Sequence, residues 1–325
     1  MFNDRFRILS LDGGGIRGAF TASALATLEK RTGRRVIDHF DLIAGTSTGG
    51  ILAIGLALGR SAEEIRDFYV EYGNTIFPST GVIHRLGLTL QQLVFPKRSR
   101  ARLEDALGSV FGDRKFGEAR CRLVIPTYDA VSGRIYILKT AHLPQFTDEY
   151  RARAVDCALA TSAAPTYYRA SPFPEHQGVS YIDGGVWANC PVMVGLTEAV
   201  HFLRVPLDRV DILSIGTVGE PFSVSKARRF GGIAQWNTAL IDVLFRGQAE
   251  AALAEASLLT GGRVHRINAV VDRGRFAMDD ARGVSDLVAL GASEARKQAN
   301  VTMVAERFLN GSSAAPFTPA YNTTS

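Results

Sequence analysis

The sequence predicts an α/β protein with a mainly parallel central sheet and helices on both faces. Three observations carry that reading. Short apolar runs rich in β-branched residues alternate with longer stretches of helical spacing, the pattern left by a strand, a crossover helix and the next parallel strand. Two glycine-rich turns, Asp12-Gly13-Gly14-Gly15-Ile16-Arg17-Gly18 and Gly45-Thr46-Ser47-Thr48-Gly49, each follow an apolar run and lead straight into a helix. No repeat or linker interrupts the chain, so residues 1–310 are expected to form one domain, followed by a Ser-, Thr-, Ala- and Pro-rich tail, 311–325, expected to be disordered.

Residues 7–11 form the first expected strand and 19–30 the first helix, with the first glycine turn between them. The run from Phe40 to Ala44 reads as a buried strand and 51–58 as a helix. Ser61 with Glu64 makes a capping box, which opens a helix to about Tyr72 that carries Ile65, Phe68 and Tyr69 on one face. A helix over 101–111 precedes strands over 121–128 and 134–139, joined by the turn-rich Asp129 to Gly133 and expected to pair antiparallel. A short helix over 152–160 ends before the small residues Thr161-Ser162-Ala163-Ala164-Pro165, and 179–182 is a strand that delivers Asp183-Gly184-Gly185. Helix 191–203, strand 210–215, helix 232–259, strand 264–270 and a helical segment over 285–309 complete the series.

Composition narrows the function classes. With 46% hydrophobic and 21% charged residues the chain has the make-up of a soluble globular protein. Its longest apolar run, 49–59, is short of the ~20 residues that cross a bilayer, and Met1 to Phe6 has no signal-peptide character, so a cytoplasmic, non-spanning protein is expected. Three cysteines without a Cys-x-x-Cys pair read as buried thiols. None of the six histidines stands in a metal-spaced pair, and no metal or cofactor is expected. A net charge of +5 permits attraction to anionic surfaces, while no nucleic-acid signature is present.

The second glycine turn fits the Gly-x-Ser-x-Gly elbow. Glycines on either side let the chain turn sharply enough to expose a serine hydroxyl above the start of the following helix, whose free amides favour developing negative charge. Ser47 is the candidate nucleophile. The first turn has two readings. As Gly-x-Gly-x-x-Gly it would begin a dinucleotide site with Asp38 as the ribose acid, although Asp38 lies before the second strand rather than at its end. As an oxyanion loop, its backbone N–H groups would approach a reacting carbonyl. A P-loop is excluded, since no Gly-Lys-Ser/Thr follows. Asp183, 136 positions after Ser47, is a carboxylate at a strand end and is better placed as base than any histidine.

With these three motifs in order, joined by Ala163-Ala164-Pro165-Thr166-Tyr167-Tyr168 and Val186-Trp187-Ala188-Asn189-Cys190-Pro191, the chain resembles the patatin-like phospholipases from Arg7 to about Val194. The resemblance implies a patatin-like three-layer sandwich and a lipid acyl hydrolase using a Ser47-Asp183 dyad. It assigns the amides of Gly13, Gly14 and Gly15 to the oxyanion hole and gives Arg17 the support of that loop. Cys190 stands where many relatives have Asn. Membrane phospholipid is the implied substrate. The length and start are similar to bacterial members, some of which are anti-phage effectors switched on by cyclic nucleotides, so such an activator is one expectation and constitutive activity the other. A symmetric homodimer is the base-rate expectation. The segment from Thr75 to Arg102, apolar and then basic at Lys97, Arg98, Arg100 and Arg102, is expected to cover the site and open onto an anionic membrane.

Overall fold

The computed structural model describes residues 5–77, 100–165, 167–221 and 239–321. Residues 78–99, the greater part of the expected lid, lie outside the described residues, as do 232–238 of the expected long helix.

Strand β1 (Phe6–Leu11) is buried along its whole length, as a central parallel strand should be, and its alternate side chains serve two different cores. Leu9 and Leu11 point into one apolar cluster with helix α1 (Gly18–Thr32), while Phe6 and Ile8 point into the other. The same alternation divides Ile43 from Leu42 and Ala44 on β2 (Leu42–Gly45). Two cores, one on each face of the sheet, make the three layers.

Helix α2 (Thr48–Ala57) is buried all round, and α3 (Ala62–Ile76) packs beside it behind a complete Ser61–Glu64 capping box. Helix α4 (Arg100–Phe111) follows, then β3 (Arg122–Asp129), β4 (Arg134–Lys139) and α5 (Ala154–Ser162). A two-residue strand, β5 (Ser171–Pro172), too short to show in the pattern, precedes β6 (Ser180–Asp183). Helices α6 (Gly185–Ala188) and α7 (Val192–Thr197) come next. The expected helix over 191–203 widens into a π turn at Glu198–Phe202, where buried Glu198 is held by Lys139 at 2.6 Å and His142 at 2.9 Å. Strand β7 (Val210–Ile215), helix α8 (Ala239–Leu259) and strand β8 (Val264–Ile267) lead to α9 (Val284–Arg296) and α10 (Gln298–Val304). Lys297, extended at ψ 128, breaks what the sequence reads as one helical segment.

The sheet order is β5-β6-β3-β2-β1-β7-β8, with β4 on β3. The five strands from β3 to β8 run parallel, and β4, β5 and β6 form an antiparallel margin. One detail of register positions the site. Strand β3 is eight residues long and pairs with β2 only over Arg122 to Val124, while β6 pairs with it at Thr127 to Asp129. As β2 breaks off, β6 takes over the place beside β3 from the opposite direction. Chain leaving β2 and chain ending β6 must therefore meet near Pro126 and Thr127.

Residues 311–321, read from composition as disordered, carry no helix or strand but are tied to the body. Ser312 accepts from Arg7 at 2.8 Å, Ala314 donates to Asp38 at 2.8 Å, Ala320 donates to Ala141 at 2.6 Å and Tyr321 donates to Pro144 at 2.7 Å. This segment runs along the end of the sheet where β1 and β2 begin. Composition could not show it, because the partners, the Arg7 guanidinium and three backbone carbonyls, lie far away in the chain.

Candidate active site

Beyond Gly45 the chain cannot continue as a strand, because β6 occupies the space. It turns instead through Ser47, whose φ of 55° and ψ of −122° place it among three non-glycine residues of positive φ in the described chain. The turn is that tight because of its glycines: a Cβ on Gly45 would run into the Gly49 carbonyl, and one on Gly49 into the Leu11 carbonyl. Leu11 accepts from the Thr46 amide at 3.2 Å, and the Ile51 amide donates to Ser47 at 3.0 Å, so α2 starts directly beneath the serine. Thr161 holds the elbow from α5. Its hydroxyl accepts from the Ser47 amide at 3.0 Å and donates to the Pro126 carbonyl at 2.7 Å. Sequence reading saw only a small residue here.

Asp183 ends β6 opposite Thr127. Ser47 Oγ donates to its Oδ2 at 2.6 Å, and the Gly185 amide donates to its Oδ1 at 2.7 Å. Burial pushes the Asp183 carboxyl up to about 6, with the bonds from Ser47 and Gly185 pulling the other way. The two expected catalytic side chains thus form a buried pair.

The first glycine loop lies against this pair, with a Cβ built on Gly13 coming within 3.2 Å of Ser47 Cβ. Its three glycines are not equivalent. The Gly13 amide donates to the Asn189 carbonyl at 3.0 Å, so it fixes the loop and is not offered to a reacting oxygen. The Gly14 and Gly15 amides have no acceptor among the described residues, so two of the three expected oxyanion donors remain. Thr217 donates to the Gly13 carbonyl at 3.0 Å, and Ile16 donates to Met278 at 3.0 Å. Arg17 turns away from the dyad to the Glu220 carboxylate at 2.6 Å and the Phe276 carbonyl at 2.8 Å, bracing the loop from behind. Asp12 is held by both terminal nitrogens of Arg266, a residue 254 positions away that no motif singles out. Cys190, buried beside Asp12, has its thiol pushed up to about 12 by burial.

The dinucleotide reading fails on position. Asp38 lies in the turn Val36–Asp38 ahead of β2, at the end of the sheet opposite the glycine loop that follows β1. Histidines give no rival base: among the described residues, His142 is bonded to Glu198 and His176 to Tyr181, and none bonds Ser47 or Asp183. Folding does bring Asp148, Glu149 and His176 together, with possible ligand atoms within 4.8 Å of one another. Glu149, raised to about 7 by burial, already accepts from the Tyr136 hydroxyl at 2.6 Å, and this cluster takes no part in the dyad.

A serine held by a buried carboxylate, with unpaired glycine amides alongside and a helix start beneath, can carry out acyl transfer. Comparison with known proteins agrees with that chemistry. A family model described as patatin-like phospholipase matches residues 9–196. A cGAMP-activated phospholipase of Vibrio cholerae is 36% identical over 288 residues, covering 81% of this chain and 79% of that protein. One of the same description from Pseudomonas aeruginosa is 36% identical, covering 75% and 72%. Patatin-like protein 4 of Arabidopsis thaliana is 31% identical, covering 78% and 72%.

Proposed function

The chain belongs to the patatin-like phospholipase family, and on that premise we propose that it hydrolyses fatty acyl esters of membrane phospholipids with Ser47 as nucleophile and Asp183 as base. The observation that carries this is the 2.6 Å bond from Ser47 Oγ to Asp183 in a site where, among the described residues, no histidine bonds either group. As Ser47 Oγ attacks the ester carbonyl its proton passes to Asp183, and the oxyanion is stabilised by the Gly14 and Gly15 amides and the N-terminal end of α2. The leaving alcohol takes that proton. Water, deprotonated by Asp183, then releases the fatty acid from Ser47.

A base must be ionised to accept a proton, and burial raises Asp183 to about 6. We therefore expect kcat/KM to be level above about pH 7 and to fall about tenfold per pH unit below 6. A profile still flat at pH 4.5 would remove Asp183 from the role.

Control by a cyclic nucleotide is the finer reading. Support comes from the bacterial relatives described as cGAMP-activated, and it makes the protein an antiviral effector that stays silent until a nucleotide signal arrives. Constitutive activity, at peripheral contact with the membrane, is the second reading. Among the described residues no helix is long and apolar enough to cross a membrane. Fatty acid release from phospholipid vesicles, measured with and without cGAMP, separates the readings. Release only with cGAMP establishes the first, equal release the second, and no release under either condition rejects the phospholipase assignment.

A further inference from the structure

The hydroxyl of Thr217 and Nδ2 of Asn189 both donate to the Gly13 carbonyl, at 3.0 and 3.4 Å. That carbonyl and the Gly14 N–H belong to one planar peptide unit, and no peptide bond of the described chain is cis, so the two groups point in opposite directions. Donors on the oxygen side therefore set where the N–H points. They also draw electron density toward the oxygen, which makes the N–H a stronger donor, because linked hydrogen bonds in a protein interior polarise one another. The unit lies beside the nucleophile, since a Cβ on Gly13 would come within 3.2 Å of Ser47 Cβ. We infer that Thr217 is a positioning residue for the proposed reaction: through the peptide between Gly13 and Gly14 it aims and strengthens the Gly14 amide toward the oxyanion. The inference rests on the hydrolase reading above and adds a residue to it.

Thr217 can hold the loop because it is itself held on both sides. Before it, the Gly216 amide donates to Ile267 at 2.9 Å, and the Gly216 carbonyl accepts from the Thr21 hydroxyl at 2.7 Å. After it, Val218 stands at φ 78°, a region that a β-branched residue rarely enters, and Asn268 keeps it there by accepting from its amide at 3.0 Å. The Thr217 side chain is buried and lies flat against the loop, for a Cβ on Gly14 would run into Thr217 Oγ1 and Cβ. Packing thus fixes where the hydroxyl sits, and the hydroxyl fixes the peptide.

Thr217→Val keeps the shape and deletes only the donor. Removing a whole oxyanion donor costs on the order of 10² to 10³ in rate, and one linked bond supplies about 10–30% of a donor's strength, so kcat should fall about two- to eightfold with KM unchanged. Thr217→Ser, which keeps the hydroxyl, should recover most of that loss. The Gly13 carbonyl retains Asn189 in the valine variant, so the fold should persist. Melting curves check this, and Thr217→Ala replaces a valine variant that does not fold. A long-chain alkyl trifluoromethyl ketone reads the oxyanion directly. Ser47 Oγ adds to its carbonyl carbon, the serine proton passes to Asp183, and the carbonyl electron pair becomes an oxyanion facing the loop. The matching methyl ketone binds without that addition. Affinity for the trifluoromethyl ketone should fall in Thr217→Val by the same factor as kcat, while affinity for the methyl ketone stays level; a threonine that only packs would move neither or both. Unchanged kcat in Thr217→Val, a serine variant as slow as the valine one, or equal loss of affinity for both ketones overturns the inference alone. Wild-type protein that neither hydrolyses phospholipid vesicles nor binds the trifluoromethyl ketone rejects the hydrolase reading and the inference with it.

Discussion

Ser47→Ala is expected to lower ester hydrolysis by a factor on the order of 10⁴ to 10⁶ while the protein still folds. Activity goes because no other group in the described site offers a nucleophile beside the Gly14 and Gly15 amides. The fold persists because alanine keeps the Cβ that the elbow already accommodates at φ 55°, along with the amide held by Thr161. Asp183 then loses a bond that lowers its protonation range, so burial drives it further up. Ser47→Gly should be as inactive, yet more stable than Ser47→Ala by about 1 kcal/mol, since glycine adopts a positive φ without strain. Turnover on vesicles and thermal melts of both variants check this. Near-normal turnover by folded Ser47→Ala would end the assignment.

Asp183→Asn should cost activity on the order of 10⁴-fold and at the same time stabilise the protein. An amide keeps the shape and can still accept from Gly185, but it cannot take the serine proton. Stability moves the other way because the folded state holds the Asp183 proton more tightly than the unfolded chain, about 6 against 3.8. Between those values the native form binds the extra proton, so the wild type loses stability as pH rises from about 4 to about 6 and regains none above. At 1.36 kcal/mol per unit this comes to roughly 3 kcal/mol at pH 8. The variant, with nothing to ionise, should melt higher than wild type at pH 8 and alike at pH 4. A lower melting temperature at pH 8 would show that burial of the charge is not the cost inferred here. Catalytic groups kept at the expense of stability are a familiar compromise.

Much of this was legible in the chain because its signals are local. Each glycine turn with its flanking strand and helix is a single contiguous stretch, so Ser47 and the loop from Gly13 to Gly15 announce themselves. Asp183 needed only its place at a strand end. What sequence could not give depends on pairing across long separations. Thr161 bonds the Ser47 amide from 114 residues away, and Arg266 holds Asp12 from 254. The unequal roles of the three glycines depend on a carbonyl, that of Asn189, which every residue possesses and no pattern marks. The handover from β2 to β6 along β3 belongs to the same class. Antiparallel pairing of β3 with β4 was foreseeable from the short turn between them, whereas the arrival of β6 on the other side was not.

That handover has a consequence for the cell that makes this protein. A ribosome that has released the first 150 residues has delivered the elbow, the glycine loop and β1 to β4, yet the serine has no proton acceptor and β3 has an open edge where β6 belongs. Asp183 follows Ser47 by 136 positions, and the Arg266 that anchors the loop comes 83 positions later still. On the proposed mechanism a half-made chain lacks the group that would take the proton of Ser47. On that mechanism the long separation of the dyad in sequence works as an interlock, because the serine gains its base only after β6 has been made and paired with β3.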